Sequence, residues 1–234
     1  MKSAQVKTKK GIKAMVKITR TSDTSHQHLK VLTYGAAGSG KTTLCATAKD
    51  CIIISAESGL LSLRGYDLPV IEVTSLVEVQ EAYKYLTESD EAKGYRWVCI
   101  DSLSEIAEVV LAAEKKASKD PRKAYGELQD RMAQLIRAFR DLPRNVFMTA
   151  KAEHIQDESG AMLWTPTMPG KKLGQSLPYF FDEVFAMRVK EVDGETKRAL
   201  QTATDGIWTA KDRSGALAQF EEPNLEAIYN KIIG

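Results

Sequence analysis

The feature that most constrains this chain is a glycine-rich segment at residues 35–42, which reads Gly-Ala-Ala-Gly-Ser-Gly-Lys-Thr. It fits the pattern G-x-x-x-x-G-K-[ST], follows a β-rich run at residues 30–34 and precedes a helical pattern at residues 41–48. In that context the pattern predicts a P-loop, whose glycines let successive backbone N–H groups point at the oxygens of a triphosphate. A chance glycine-rich turn is the alternative, and the flanking strand and helix disfavour it.

The P-loop pattern predicts roles for its residues and predicts that a carboxylate elsewhere in the chain helps to bind Mg²⁺. We expect Lys41 to reach the β- and γ-phosphates, the Thr42 hydroxyl to ligate Mg²⁺, and Thr43 to lie near the α-phosphate. Asp101 closes an apolar strand at residues 97–100, and strand ends at the carboxyl edge of such a sheet face the ligand crevice. Asp101 is therefore the expected second ligand of Mg²⁺, with a helix N-cap as its alternative role. The predicted nucleotide-binding residues are Gly35, Ala36, Ala37, Gly38, Ser39, Gly40, Lys41, Thr42 and Thr43.

Hydrolysis of a nucleotide also needs a group that positions the attacking water or accepts its proton. Glu57 lies just past the continuous apolar run at residues 51–55, which is typical of a strand buried on both faces. The same sheet edge would therefore carry Glu57, Lys41 and Asp101. A solvated loop carboxylate is the alternative for Glu57.

Strand and helix patterns alternate along most of the chain, which predicts a parallel sheet with helices on both faces. The last third predicts antiparallel strands added at one edge, at residues 184–189 and 196–201, followed by a helix at 225–233. Residues 1–28 are rich in lysine and contain no acidic residue before position 23. We therefore expect a basic, partly disordered N-terminal segment, with one short strand at 12–18, and a single α/β domain at 29–234.

Composition excludes several classes of protein. Apolar residues make up 43% of the chain and charged residues 27%, which is ordinary for a globular protein. Cys45, Cys51 and Cys99 form no CxxC pair, which argues against a zinc site and against a disulfide framework. No stretch approaches the ~18 apolar residues of a membrane span, and the basic N-terminus lacks the apolar part of a secretory signal. We expect a cytoplasmic protein with no membrane partner.

The segments around Lys41, Glu57 and Asp101, in that order, resemble the RecA superfamily of ATPases. In that family the catalytic glutamate follows the strand after the P-loop helix, in a stretch similar to residues 55–57, and the Walker B strand commonly ends in Asp-Ser. AAA+ proteins instead carry the glutamate directly after the Walker B aspartate, where this chain has Ser102. The resemblance implies a RecA-like P-loop core, the cofactors ATP and Mg²⁺, and catalytic roles for these three residues.

A second motif, Lys-Asp-Arg-Ser-Gly at residues 211–215, resembles the Lys-Asn-Arg-x-Gly of RadA and DnaB-type relatives. In those proteins the lysine and arginine reach into the ATP site of the neighbouring protomer, where a guanidinium neutralises charge on the γ-phosphate. The resemblance implies that Lys211 and Arg213 are catalytic in a homo-oligomer, either a ring or a filament. A surface turn with incidental charges is the alternative.

From about residue 30 onward the chain is also similar to small phage-encoded RecA-like proteins, some of which anneal single strands in recombination. The similarity includes residues 168–173 and 222–225. It implies action in a bacterial host cell, with a single-strand-binding protein as partner. One departure is Lys151, which follows the predicted sensor strand at 146–150 where RecA has glutamine.

By the same resemblance, two loops of the core are expected to bind single-stranded DNA. The first, residues 115–125, places five cations around Pro121, and the second, residues 155–172, contains a tryptophan and two lysines. Cations follow the phosphate backbone, and aromatic rings stack on bases. A solvated helix turn and a tryptophan packed under its own hairpin are the alternatives. The predicted DNA-binding residues are Lys115, Lys116, Lys119, Arg122, Lys123, Trp164, Lys171 and Lys172.

The leading hypothesis is a Mg²⁺-dependent, DNA-stimulated ATPase that acts on single-stranded DNA in homologous recombination, by annealing or strand exchange. One alternative is a nucleotide-dependent assembly or regulatory ATPase that does not touch DNA. Another is a helicase loader or packaging motor, which the motif at residues 211–215 also tolerates. A small-molecule kinase is disfavoured, because the sequence has no arginine-rich lid for the phosphates.

Overall fold

The computed structural model describes residues 6–7, 13–14, 28–57, 59–156 and 160–234. Its strands are β1 (Val6–Lys7), β2 (Lys13–Ala14), β3 (Lys30–Gly35), β4 (Cys51–Ser55), β5 (Val70–Glu72), β6 (Trp97–Asp101), β7 (Asn145–Gln156), β8 (Met162–Thr167), β9 (Glu183–Val192), β10 (Glu195–Gln201), β11 (Lys211–Asp212) and β12 (Phe220–Glu221). Its helices are α1 (Lys41–Cys45), α2 (Leu76–Glu88), α3 (Leu103–Ala117), α4 (Pro121–Arg140), α5 (Lys171–Ser176) and α6 (Leu225–Ile232). Short 3-10 helices occupy Leu60–Leu63, Glu91–Gly94 and Leu177–Phe180.

Strands β3 to β12 form one mixed sheet in the order β12-β10-β9-β3-β7-β6-β4-β5, with β11 paired to β9 and β8 paired to β7. The neighbours from β9 through β3, β7, β6 and β4 to β5 are all parallel. Antiparallel partners are β8 on β7, and β10, β11 and β12 at the C-terminal edge. The predicted α/β class is confirmed: the central sheet is mostly parallel and flanked by helices, and antiparallel strands are added at its C-terminal edge.

Helices cover both faces of the parallel strands. On one face α2, α3 and α4 pack in a single apolar cluster with residues such as Leu32, Ile54 and Val98. On the other face α1 and α6 pack against residues such as Val31 and Ile53. Because each parallel strand is sandwiched in this way, β4 is buried at every position, as its uninterrupted apolar sequence predicts.

Polar caps set where the helices begin. The side chain of Ser75 caps α2 by accepting from the Glu78 N–H, and the side chain of Asn224 caps α6 in the same way. Asp120 caps α4, so Pro121 opens that helix rather than interrupting it, since a proline in the first turn loses no helical hydrogen bond. The P-loop helix α1 is shorter than the predicted 41–48 and ends in turns after Cys45.

Two antiparallel hairpins extend beyond the carboxyl edge of the parallel sheet. Strand β7 is longer than the predicted 146–150, and its burial changes from continuous to mixed after Ala150. This change occurs because Lys151, opposite Gly35, is the last residue of β7 that pairs with β3, and from there on β7 also pairs with β8. Strand β9 likewise continues past Ala186, its last paired residue toward β3, as a hairpin with β10.

Most of the predicted N-terminal segment lies outside the described residues. Within it the structure gives only β1, β2 and His28, and β2 falls inside the predicted strand at 12–18. The predicted turn at 157–160 is described only at Gly160. In the described ranges the three cysteines are free and buried, and no helix is both long and apolar enough to cross a membrane.

Candidate nucleotide-binding site

The P-loop connects the carboxyl end of β3 to the first turn of α1, and its glycines are needed for its shape. Gly38 and Gly40 have φ values of 72° and 104°, which side chains rarely tolerate. At Gly35 a Cβ atom would lie 2.8 Å from Ser39 Oγ and 3.0 Å from Met187 Cβ. The loop is therefore tightly curled against β9 at its start and left-handed at two later positions.

Lys41 is folded back onto this loop. Its Nζ donates to the backbone carbonyls of Gly35 (3.0 Å) and Ala36 (2.9 Å). Burial lowers the pKa of the Lys41 ammonium, while the carboxylates of Asp101 and Glu57 act to raise it. The lysine therefore lies in the concave side of the loop with two carboxylates nearby.

Asp101, at the end of β6, is 1% exposed and accepts hydrogen bonds from two threonines. Thr42 Oγ1 donates to Asp101 Oδ2 at 2.6 Å, and the Thr149 hydroxyl donates to the other carboxylate oxygen. The N-cap of α3 is Ser102, whose hydroxyl accepts from the Glu105 N–H at 3.3 Å. The capping alternative for Asp101 is therefore wrong, and this carboxylate faces the first turn of α1 instead.

Glu57 lies half-buried beside the end of β6. Ser102 Oγ donates to Glu57 Oε1 at 2.6 Å, and Ser55 Oγ donates to the backbone carbonyl of Glu57 at 2.8 Å. The Ala56 N–H donates to the backbone carbonyl of Asp101 at 2.8 Å. Glu57 is therefore not a freely solvated loop carboxylate. The hydroxyl of Ser102, which follows the end of β6, donates a hydrogen bond to its carboxylate.

The P-loop, Lys41, Thr42 and Glu57 line a cleft of about 810 Å³ at the carboxyl edge of the sheet, and Asp101 lies buried behind Thr42. The lining of the cleft also includes Leu61, together with Lys151 and Arg198 from the two hairpins. Its volume is within the usual range for small-molecule sites. The cleft therefore combines curled backbone, several cations and one held carboxylate, a donor set suited to a polyphosphate.

Two cations of the cleft have contacts that the sequence does not reveal. Lys151 Nζ donates to Glu105 Oε2 at 2.9 Å, and this carboxylate raises the pKa of Lys151. Arg198 Nε donates to the backbone carbonyl of Ser39 at 3.1 Å. Arg198 lies far from the P-loop in sequence and matches no motif, so only the pairing of β10 with β9 brings it there.

The residues also fit a Mg²⁺ ion. Mg²⁺ in nucleotide sites uses one or two protein oxygens, together with phosphate oxygens and water. Thr42 Oγ1 and Asp101 Oδ2, only 2.6 Å apart, supply such a pair beside the P-loop. No group of three or more His, Cys, Asp or Glu in the described ranges could hold a metal by itself. A metal here would depend on the phosphates for its remaining ligands.

Lys211 and Arg213 lie at the opposite, amino edge of the sheet. Lys211 pairs with Val184 in β9, which pairs with Leu32 near the start of β3, whereas the P-loop follows the end of that strand. Lys211 Nζ donates to the carbonyls of Pro178 (2.8 Å) and Phe181 (2.5 Å). Neither residue lines the cleft of its own chain.

Arg213 has an acidic partner at that edge. Its Nη1 donates to Asp182 Oδ1 at 2.7 Å, and the arginine side chain remains 59% exposed. For Lys211, burial lowers the pKa, with the charge of Arg213 acting in the same direction. Within one chain, Arg213 is therefore the more available of the two cations.

The structure brings parts of the two predicted DNA loops together. The five cations of the first loop are all exposed, and Lys115 Nζ lies 5.5 Å from the centre of the Tyr125 ring. A cleft of about 490 Å³ joins Arg122 and Tyr125 of α4 to Gly170 and Lys172. Lys171 is the first residue of α5. We call the surface of Lys115, Lys116, Lys119, Arg122, Lys123, Tyr125 and Lys172 the basic patch.

Trp164 lies apart from this patch in a stack of rings. Its ring centre is 4.7 Å from that of His154 and 5.0 Å from that of Trp208, with both pairs nearly parallel. The Arg188 guanidinium lies 4.4 Å from the Trp208 ring centre. The backbone carbonyl of Trp164 accepts from the Tyr34 hydroxyl at 2.9 Å. These contacts favour the alternative in which Trp164 packs under its own hairpin.

Comparison with known proteins supports a P-loop protein. Residues 27–214 match the family model AAA_24, which is described as an AAA domain. No curated protein sequence matches the chain. Among solved structures, a KaiC-like protein from the hyperthermophilic archaeon Pyrococcus horikoshii is 16% identical and covers 74% of this chain and 76% of its own, with a TM-score of 0.40. That likeness is distant, so the functional argument rests on the cleft.

Proposed function

The chain belongs to the AAA_24 family of AAA domains, and we propose that it is a Mg²⁺-dependent, RecA-like ATPase that acts on single-stranded DNA. In this proposal it works as a homo-oligomer, a ring or a filament, and promotes annealing or strand exchange in homologous recombination. A single-strand-binding protein would be its partner, in the cytoplasm of a bacterial host cell. The observation that carries the ATPase part is the meeting of Lys41, the Thr42–Asp101 pair and Glu57 at one edge of the sheet.

Binding of ATP uses the P-loop backbone first. Its N–H groups surround the β-phosphate, and Lys41 exchanges the two carbonyls that it now contacts for oxygens of the β- and γ-phosphates. Thr43, in the next position along α1 after Thr42, contacts the α-phosphate. Thr42 and Asp101 hold Mg²⁺, which when bound neutralises charge on the phosphate oxygens.

Glu57 is the proposed group that activates water. It accepts a proton from the water as the water oxygen bonds to the γ-phosphorus, and the bond from that phosphorus to the β,γ-bridging oxygen breaks, giving ADP and phosphate. The hydrogen bond from Ser102 orients the Glu57 carboxylate, which is the proposed general base. The order strand, glutamate, then Walker B strand is why we place the site with RecA-like proteins, although the family model carries the AAA name.

Oligomerisation is proposed because two expected catalytic cations are at the wrong edge to act within one chain. Lys211 and Arg213 lie at the amino edge of the sheet, and the cleft lies at the carboxyl edge. If they act on ATP, they act on the nucleotide of a neighbouring subunit. Arg213, which is exposed and paired with Asp182, is the one that can reach across.

DNA binding is proposed for the basic patch. Its cations are exposed, and Tyr125, 41% exposed, offers an aromatic ring beside Lys115. Exposed cations interleaved with an aromatic ring suit a single strand without sequence preference. Lys171, at the start of α5, belongs to the proposed surface by position, and Trp164 contributes only if its ring stack opens.

The test is ATP hydrolysis with Mg²⁺, with and without a long single-stranded DNA, at low and high salt. We expect DNA to stimulate hydrolysis, and we expect this stimulation to weaken as the salt concentration rises. Contacts between protein cations and DNA phosphates release counterions, and this release becomes less favourable at high salt. The double reversal Lys115→Glu/Arg122→Glu should abolish the stimulation while leaving the basal rate. A matched control, Lys84→Glu/Lys93→Glu, reverses two exposed lysines elsewhere and should change neither quantity.

The outcomes separate the candidate functions. Hydrolysis indifferent to DNA, in the unaltered chain, would contradict the DNA role and favour an assembly or regulatory ATPase. Directional unwinding or translocation would instead favour a helicase loader or packaging motor. Absence of any Mg²⁺-dependent hydrolysis or nucleotide binding would overturn the ATPase proposal itself.

A further inference from the structure

We infer that Arg198 is a nucleotide-binding residue of the same chain and that its guanidinium grips the α-phosphate. This inference rests on the proposed binding of ATP in the P-loop cleft, and it adds a residue that no sequence motif marks. Arg198 comes from β10, in the hairpin that rises beside the loop. It is the cation that this hairpin contributes to the lining of the cleft.

The first step is that Arg198 lies directly across the P-loop. Its Nε donates to the Ser39 carbonyl at 3.1 Å. A Cβ atom added at Gly40 would lie 3.1 Å from Arg198 Cδ and 3.2 Å from its Nε. The arginine stem therefore crosses the loop at Gly40, and the absence of a side chain at that position gives it room.

The second step concerns which phosphate of the nucleotide Arg198 faces. Thr42, Asp101 and Glu57 define the Mg²⁺ and γ-phosphate end. Strand β6, which ends at Asp101, and strand β4, which precedes Glu57, lie on one side of β3. Strand β10 lies on the other side of β3, beyond β9. The same Cβ position at Gly40 is 3.6 Å from Thr43 Oγ1, the group expected at the α-phosphate. Arg198 therefore faces the α-phosphate rather than the γ-phosphate.

The third step is that the guanidinium of Arg198 has donors left for a phosphate. Only Nε of Arg198 makes a hydrogen bond to the protein among the described residues, and the side chain is exposed. The two terminal nitrogens are left to donate together, which matches the paired oxygens of a phosphate. Among the described residues that line the cleft, the cations are Lys41, Lys151 and Arg198, and Arg198 is the one that crosses the loop at Gly40 beside Thr43.

Because ATP and ADP share the α-phosphate, the contact predicts a particular pattern of affinities. Arg198→Ala should weaken the binding of both nucleotides by the same factor, about 10-fold to 100-fold, the usual range for hydrogen bonds to a charged group. Arg198→Lys should weaken both by less, since it keeps the charge and loses the paired geometry. Lys197→Ala is the matched control, because it removes the adjacent exposed cation on the other face of β10 and should change neither affinity.

The measurement is a titration of the full chain with fluorescent ATP and ADP analogues in Mg²⁺, with circular dichroism to confirm that each variant folds. Equal weakening of both nucleotides supports a contact to a phosphate that ATP and ADP share, and the position of Arg198 beside Gly40 and Thr43 assigns that contact to the α-phosphate. Weakening of ATP alone would overturn it in favour of a γ-phosphate contact, and unchanged affinities would overturn it outright. If the unaltered chain bound neither nucleotide, the proposed function itself would fail, which is a different result from unchanged binding by Arg198→Ala.

Discussion

The two edges of the parallel sheet carry cations in opposite circumstances. At the carboxyl edge, Lys41, Lys151 and Arg198 surround one cleft, and Lys41 and Arg198 contact backbone carbonyls of the P-loop. At the amino edge, Lys211 is held by two carbonyls of its own chain and Arg213 by Asp182. The first group faces one cleft, so its cations can contact a polyanion together, whereas the second group does not line that cleft and Arg213, rather than Lys211, remains well exposed.

One chain therefore has the P-loop cleft at one edge of its sheet, and the residues of the motif at 211–215 lie at the other edge. Parallel strands cause this separation, because their carboxyl ends all open on one side and their amino ends on the other. The motif at residues 211–215 comes after β10 and pairs with the start of β9. It therefore lies far from the P-loop of its own chain.

The largest expected effect concerns the carboxyl edge. Lys41→Ala should abolish measurable ATP binding, because it removes the cation that the loop places among the phosphates. Calorimetric titration with ATP and Mg²⁺ measures this directly. The fold should survive, since among the described residues the Lys41 ammonium bonds to two carbonyls of its own loop and not to the core. Retained tight binding by a folded variant would contradict the assignment of this cleft as the nucleotide site.

Next in size is the effect of Glu57→Gln on turnover. We expect ATP binding to persist and hydrolysis to slow by about 10²-fold to 10⁴-fold, the usual contribution of general acid–base catalysis. Phosphate release under saturating ATP is the measurement. Ser102→Ala should slow hydrolysis by less, because Glu57 would keep its place in the chain and lose only the bond that orients its carboxylate. A Glu57→Gln variant that turns over ATP at the parent rate would exclude Glu57 as the base.

The amino edge is tested by Arg213→Ala, which should slow hydrolysis by about 10-fold to 100-fold while sparing ATP binding. Asp182→Asn is the control, since it breaks the same exposed ion pair and keeps the arginine. Mixing equal amounts of Lys41→Ala and Arg213→Ala should then restore up to about a quarter of the parent activity, because random assembly pairs an intact loop with an intact arginine at that frequency. A mixture that remains at the average of its parts would mean that Arg213 does not act between subunits.

The smallest expected effect is a pH dependence at the amino edge. Burial, with the nearby Asp212 carboxylate, raises the pKa of Glu183 to about 8. The folded chain therefore holds this proton between about pH 4.5 and 8 while the unfolded chain releases it, so the contribution of neutral Glu183 is fully present below that window and is lost as pH rises through it. Glu183→Gln stays neutral, and its melting temperature relative to the parent should rise by a few degrees from pH 5 to pH 8.

That comparison isolates one group. Lys30 at the same edge has a pKa lowered by burial to about 8, so the folded chain holds fewer protons above that pH and stability rises with pH there, in both proteins alike. Thermal melts at pH 5, 6, 7 and 8 therefore report Glu183 in the difference between the two proteins. A melting difference that does not change with pH would mean that Glu183 is ionised in the folded chain.

Much of the fold and of the cleft followed from local pattern. The apolar run of β4 and the strand that ends at Asp101 were predictable because a strand buried on both faces needs continuous apolar residues. The P-loop was predictable because Gly38 and Gly40 have positive φ values, a backbone conformation that favours glycine. From strand order alone, Lys41, Glu57 and Asp101 could be assigned to one edge.

Other features depended on how distant segments pair. The resemblance to RecA-like proteins led us to expect Trp164 in a DNA-binding loop. In the structure, the stack of His154, Trp164 and Trp208 instead joins β7, β8 and the segment before β11. The pairing of Lys151 with Glu105, a residue of α3, has no signal in either segment alone. Such contacts depend on register between strands that are far apart in the chain.

The P-loop, the alternation of strands and helices, and the sheet edge that holds the carboxylates are each encoded in a few consecutive residues, so they could be read from the chain before folding. The crossing of the loop by Arg198, the capping of α3 by Ser102 rather than Asp101, and the position of Arg213 at the far edge arise only when the chain folds. These depend on long-range pairing and packing, in which one residue's neighbours are chosen by the whole sheet rather than by its own segment.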